Sequence, residues 1–147
     1  PAKVIEMRSE ICAKGGCLLL GVGPTPQGTI QPEVEVALRP VGEWLRKNGE
    51  AIYSTRTTPI YTNNEKNVWF TANKDGKTLY AIVPQDDEKG IPRTISWEGN
   101  APAKGAQIID IATKKSLSYV TKDGKTTVTL PLKANGTNGV AMKFRIK

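Results

Sequence analysis

The chain has 147 residues, 38% of them hydrophobic and 24% charged, with a formal charge of +7, no histidine and two cysteines. That is room for one domain, or for a small domain and a piece of another, and the longest apolar run is far short of a membrane span. The missing histidines exclude zinc sites of Cys/His type and Cys–His or Ser–His nucleophile pairs. No metal and no cofactor is expected.

The surplus charge is unevenly spread. Residues 1–50 carry six basic and six acidic groups, whereas residues 51–147 carry fifteen basic and eight acidic. Twelve of those fifteen are lysines standing singly near strand ends and turns, such as Lys74, Lys77, Lys122, Lys125, Lys143 and Lys147. Solvation and protection of sheet edges explain that spacing, so neither nucleic acid nor a membrane is expected as a partner. The chain opens at Pro1-Ala2-Lys3, directly before a helix pattern and without an initiator Met, and a cut or processed start is the expectation.

In chain order, Val4, Ile5, Met7, Ile11 and Cys12 make an apolar stripe at helical spacing, stopped by Gly15-Gly16. Cys17-Leu18-Leu19-Leu20 then forms an unalternating apolar run, the pattern of a strand buried on both faces, with Cys12 and Cys17 as buried free thiols. The loop from Gly21 to Gly28 holds three glycines and two prolines. A second helix runs from Pro32 to Lys47. Pro32 lies in its first turn, Glu33 and Glu35 suit the positive end of the dipole, and Arg46 and Lys47 suit the negative end. Val34, Ala37, Leu38, Val41, Trp44 and Leu45 are its expected buried stripe, and Pro40 is expected to kink or split it.

One helix–buried strand–helix unit cannot make a parallel sheet. It reads as a piece of a larger α/β layer. If the chain stands alone, the uncovered strand should drive self-association through residues 1–25, or leave them disordered.

Residues 50–66 lack a period and read as a surface connection. Beyond them the period becomes two. Strands are expected at 67–72, 78–83, 94–97, 106–112, 116–122, 125–130 and 140–147, with Asp75-Gly76 and Asp123-Gly124 as turns. Short strands at such spacing make an antiparallel β-sandwich over residues 67–147. The expected fold is therefore mainly β, a sandwich preceded by a helix–strand–helix piece at residues 1–49.

Two stretches together carry a family resemblance. Gly16–Ile30 reads Gly-Cys-Leu-Leu-Leu-Gly-Val-Gly-Pro-Thr-Pro-Gln-Gly-Thr-Ile, and Gly42–Thr55 reads Gly-Glu-Trp-Leu-Arg-Lys-Asn-Gly-Glu-Ala-Ile-Tyr-Ser-Thr, with Arg56 next. In this order they resemble the closing segment of the retaining α-L-fucosidases, a glycoside hydrolase family. Val68-Trp69-Phe70-Thr71 and Thr78-Leu79-Tyr80-Ala81-Ile82 are similar to the first strands of that family's C-terminal sandwich.

The resemblance implies the last strand and helix of a (β/α)8-like barrel, the entry to the sandwich, and a secreted or periplasmic parent enzyme acting on fucosylated glycans. It also implies that the nucleophilic Asp, the acid/base Glu and the sugar-binding histidines belong to earlier segments, so no catalytic residue is expected here. The family more often carries Asn at the position of Gly21, and this chain offers no polar side chain there. Gly21, Trp69 and Trp97 are the binding candidates, with Tyr80 and Tyr119 as further aromatics. A stand-alone carbohydrate-binding sandwich, which would need such aromatics exposed and coplanar, is the alternative. The acidic run Asp86-Asp87-Glu88 reads as a solvated loop, and Glu43 and Glu50 as cap or surface groups.

Overall fold

A computed structural model describes residues 1–134 and 136–146, so Lys147, the end of the last expected strand, lies outside the described residues. Two helices precede eight strands: α1 (Ala2–Ala13), α2 (Pro32–Asn48), a 3-10 turn at Gly49–Ala51, then β1 (Trp69–Ala72), β2 (Thr78–Pro84), β3 (Thr94–Glu98), β4 (Ile108–Asp110), β5 (Ser116–Leu117), β6 (Tyr119–Lys122), β7 (Lys125–Thr129) and β8 (Gly139–Arg145). One sheet has the order β1-β2-β8-β4-β5 and the other β3-β7-β6, and every pairing is antiparallel.

The alternation of β8 sorts its side chains between two cores. Val140, Met142 and Phe144 enter the space between the sheets, where Phe70, Leu79, Val83, Ile95, Trp97 and Val128 meet them. Ala141 faces the other way, with Tyr80 and Ile82 of β2, into a second cluster built on Ile5, Val41, Trp44 and Ile52. The helices therefore cover the outer face of the larger sheet. This is why β2 is buried on both faces from Leu79 to Val83, and β8 from Gly139 to Met142.

The two helices form where expected, but their buried faces differ from the apolar stripes. In α1 the buried residues are Ala2, Ile5, Ser9 and Ala13, while Met7 and Ile11 are half-buried. Ser9 is tolerated inside because its hydroxyl donates to Ile5 O at 2.7 Å, which satisfies the polar group within the helix itself. In α2 only Val41, Trp44 and Asn48 are buried, so the stripe is covered over its C-terminal half and partly open over Val34, Ala37 and Leu38. Pro40 does not split α2, which runs through it as one element. Trp44 is core, and its Nε1 donates to Gly139 O at 2.9 Å.

The buried strand at Cys17–Leu20 is a correction. Residues 16–23 have no regular structure, Cys17 is exposed and Leu19 is 95% exposed. A strand exists only through a neighbour, and among the described residues no chain element pairs with this one. Cys12 is half-buried, its Sγ 3.6 Å from Ile52 O and Thr55 Oγ1.

Three strand limits moved for local reasons. The expected strand 116–122 is two: Ser116–Leu117 pairs with β4 and Tyr119–Lys122 with β7, so the chain changes sheets at Ser118. Such a crossing is how a sandwich corner is made. The expected strand 106–112 ends at Asp110, whose carboxylate accepts from Ala112 N, Thr113 N and the Thr113 hydroxyl and pulls the chain into a turn. The expected strand 67–72 begins at Trp69, because Asn63 clamps Asn67: its Nδ2 donates to Asn67 Oδ1 and its Oδ1 accepts from Asn67 N. The β6–β7 turn has φ of 51° at Asp123 and 76° at Gly124, the double positive φ that a two-residue hairpin loop requires. The connection at 50–66 runs along β1 and closes that sheet edge through Arg56–Ala72 and Tyr61–Phe70 backbone bonds.

Candidate functional site

The loop that follows Gly21 closes into a small turn at Thr25–Thr29. Thr25 N donates to Thr29 O at 2.8 Å, Gly28 N to Thr25 O at 2.9 Å, and the Thr25 and Thr29 hydroxyls bond each other at 2.8 Å. Gly21 precedes it on exposed backbone without regular structure, and a Cβ added there would meet nothing within 4 Å. It is open space with no wall of its own.

The aromatics separate into two settings. Trp97 is 2% exposed in the inter-sheet core, edge-on to Phe70 at 5.3 Å and stacked on Phe144 at 5.8 Å, with its Nε1 donating to Asn100 O. No ring face is left for a sugar. Tyr119 is tied by its hydroxyl to Ala106 O at 2.6 Å. Trp69 sits on the outer face of β1, only 3% exposed, with the Lys14 ammonium 5.7 Å from its ring centroid. Its Nε1 is buried without a hydrogen-bond partner among the described residues. Beside it opens a cleft of about 670 Å³ between α1 and the loops at 63–67 and 84–92, edged by Glu6, Glu65, Gln85, Asp86 and Lys89. Gly21, Trp69 and Trp97 thus lie in three separate surroundings: Trp69 edges the cleft beside α1, and neither Gly21 nor Trp97 lines it.

The carboxylates are placed for structure. Asp86 accepts from Glu88 N and Lys89 N, and these bonds hold its carboxyl below the usual carboxylate range. A general acid needs the opposite shift. Glu50, just past α2, takes the Lys143 ammonium at 2.9 and 3.0 Å and the Tyr80 hydroxyl at 3.3 Å. Burial first and the Glu50 charge second push the Tyr80 hydroxyl up to about 12. This cluster pins the helical segment to β2 and β8. Sequence reasoning gave Glu50 a surface role, and partners 30 and 93 residues away leave no local pattern to find. Among the described residues no group of three or more His, Cys, Asp or Glu could hold a metal ion, and no helix is long and apolar enough to cross a membrane.

Comparison with known proteins places this architecture. The α-L-fucosidase family model matches residues 1–50. An α-L-fucosidase of Branchiostoma floridae is 37% identical over 97 residues, covering 62% of this chain and 21% of that protein. The tissue α-L-fucosidase of Bos taurus is 46% identical over 94 residues, covering 63% and 19%. The crystal structure of Thermotoga maritima α-fucosidase with a mechanism-based inhibitor superposes on 99% of this chain and 34% of its own, with TM-score 0.79 and 24% identity. A GH29 α-L-fucosidase of Bacteroides thetaiotaomicron covers 100% and 32%, with TM-score 0.78 and 18% identity.

The proteins this chain resembles are α-L-fucosidases, which are glycoside hydrolases, and the likeness is to their C-terminal portion. The chain spans about a fifth of the length of the curated relatives and about a third of the solved chains.

Proposed function

We propose that the chain serves as the C-terminal portion of a retaining α-L-fucosidase whose whole length hydrolyses terminal α-L-fucosides. In this reading residues 1–49 supply the closing helix, strand and helix of a (β/α)8-like barrel, residues 50–66 connect, and residues 67–147 form the accessory sandwich. Retaining hydrolysis takes two carboxyl groups about 5–5.5 Å apart. One attacks the anomeric carbon, while the other protonates the leaving oxygen and then activates water. Those two groups would come from segments outside this chain, and fucosylated glycans would be bound there.

The observation that carries the reading is the agreement of two independent likenesses: the family model over residues 1–50 and the fold over 99% of the chain. The bare Cys17–Val22 segment fits it, since an extended apolar run without a neighbour is what a barrel strand becomes when the adjacent strands are absent. A stand-alone sugar-binding module is not favoured, because the faces of Trp97 are taken by Phe70 and Phe144.

The test is an immunoblot of the native source with an antibody to the sandwich, combined with an aryl α-L-fucoside assay on the fractions. The expected band is several times the chain's 16.0 kDa and co-elutes with fucoside turnover, while the purified 147-residue chain is inactive. A native band at the chain's own mass, or turnover by the chain alone, would overturn the proposal.

A further inference from the structure

The cleft beside Trp69 is a feature of the sandwich. Among the described residues that line it, only Glu6 comes from the helical part, and the rest belong to the span 65–92. Its volume of about 670 Å³ far exceeds the roughly 30 Å³ share of one water and falls among cavities that hold small ligands. Trp69 forms part of its wall, and the indole N–H is buried without an acceptor among the described residues. The other two tryptophans are satisfied within the fold, Trp44 by Gly139 O and Trp97 by Asn100 O. A buried donor left unpaired carries a desolvation penalty, which an acceptor entering the cleft would remove.

The polar groups around Trp69 are already held in place. Gln85 Oε1 accepts from Gly136 N at 2.7 Å, which orients the amide and leaves its Nε2 to donate. Glu65 Oε2 accepts from Asn67 Nδ2 at 2.7 Å, and Asn67 is itself clamped by Asn63. Asp86 Oδ1 is taken by Glu88 N and Lys89 N. Among the described residues each of these two carboxylates keeps its second oxygen without a hydrogen-bond partner. Glu6 is matched by Lys3 at 2.7 Å, so Glu65 and Asp86 stand against Lys66 and Lys89. A rim balanced in sign does not select a strongly charged ligand. Val83, Pro84 and Pro92 add apolar surface. Fixed donors, fixed acceptors and apolar walls suit a neutral saccharide: its hydroxyls both give and take hydrogen bonds, and its C–H face is apolar. Groups that are already oriented also lower the ordering cost of binding.

We propose that this cleft is a saccharide-binding site, in which Trp69 Nε1 and Gln85 Nε2 donate to sugar oxygens and Glu65 and Asp86 accept from sugar hydroxyls. Trp69 acts there through its N–H edge and not by stacking, since the Lys14 ammonium stands 5.7 Å from its ring centroid. The proposal goes beyond the fucosidase reading and does not rest on it, because the cleft needs no catalytic group and is built almost entirely from the sandwich.

The test is a nuclear magnetic resonance titration of the isotope-labelled 147-residue chain, read at the indole N–H signals. The probes are L-fucose, D-galactose, lactose and cellobiose, with glycerol as the control polyol. At least one of the four saccharides is expected to shift the Trp69 signal saturably at millimolar concentration, while the Trp44 and Trp97 signals stay in place. Trp69→Phe keeps a ring and loses the donor, and Glu65→Ala removes an acceptor. Each is expected to weaken binding by about tenfold, followed at the amides of residues 85–90, with circular dichroism confirming the fold. A Trp69 signal that none of the four saccharides moves, as in a cleft that takes only water, would overturn the proposal. So would an equal shift with glycerol, or a folded Trp69→Phe chain that binds as tightly as the wild type.

Discussion

Replacing Trp97 with alanine tests whether this ring holds the sheets together or serves a ligand. The side chain is 2% exposed and touches a ring from each side of the larger sheet's inner face, Phe70 of β1 and Phe144 of β8. Removing a buried Trp costs about 3–5 kcal/mol, the transfer of the ring plus the cavity left behind. Against a total stability of about 5–15 kcal/mol, that leaves the sandwich marginal. With a urea slope of about 2 kcal/mol per molar, the unfolding midpoint followed by circular dichroism should fall by roughly 1.5–2.5 M. Trp97→Phe keeps an aromatic ring but loses the Nε1 bond to Asn100 O, and should cost about 1–2 kcal/mol. A midpoint shift below about 0.5 M for Trp97→Ala would refute the core assignment and return Trp97 to the binding candidates.

Two further perturbations address the joints of the fold. One of the four tyrosines should titrate near 12 by absorbance while the usual tyrosine value is 10, and it should be Tyr80. Its folded value is the raised one, so the unfolded chain releases the proton first and stability should fall as pH rises from about 10 through 12. Glu50→Gln should bring the transition part of the way back, since burial, the larger cause, remains. Gly139→Ala should lower the melting temperature by roughly 5–10 °C. Gly139 has a φ of +149°, and its added Cβ would stand 3.1 Å from Val83 O and 3.2 Å from Pro84 Cα, both backbone atoms of β2 that cannot rotate away. A melting temperature unchanged in Gly139→Ala would refute the strain.

What the sequence made legible was what neighbours in sequence decide. The capping pattern from Pro32 to Arg46 and Lys47 marked α2, the Asp123-Gly124 pair marked a hairpin, and the alternation from Val140 to Phe144 marked β8 with its inward face. What stayed hidden depends on partners far along the chain. Ser116–Lys122 reads as one strand because nothing local records that Leu117 pairs with Ile108 in one sheet and Tyr119 with Val128 in the other. Ser9 is missed as a buried residue because its hydroxyl is satisfied by its own helix, and Ile111 takes the place beneath the helices that the turn at Asp110 gives it. The candidate site shows the same division. An apolar run such as Cys17–Leu20 records burial by some neighbour, without recording which chain supplies it.

That ambiguity can be resolved by hydrogen exchange on residues 17–22. Their amides meet no backbone acceptor among the described residues, whereas β8 is bonded on both sides, to β2 and β4. In the 147-residue chain the segment should therefore exchange close to the rate of unstructured peptide, and β8 should exchange only on opening of the fold. On the proposed function, a longer chain that supplies neighbouring strands should instead protect residues 17–22 by orders of magnitude, as a strand between two neighbours is protected. Slow exchange of the segment in the 147-residue chain would mean that two copies pair there strand to strand. It would explain association by the apolar run at Leu18–Leu20, of which Leu19 and Leu20 are exposed.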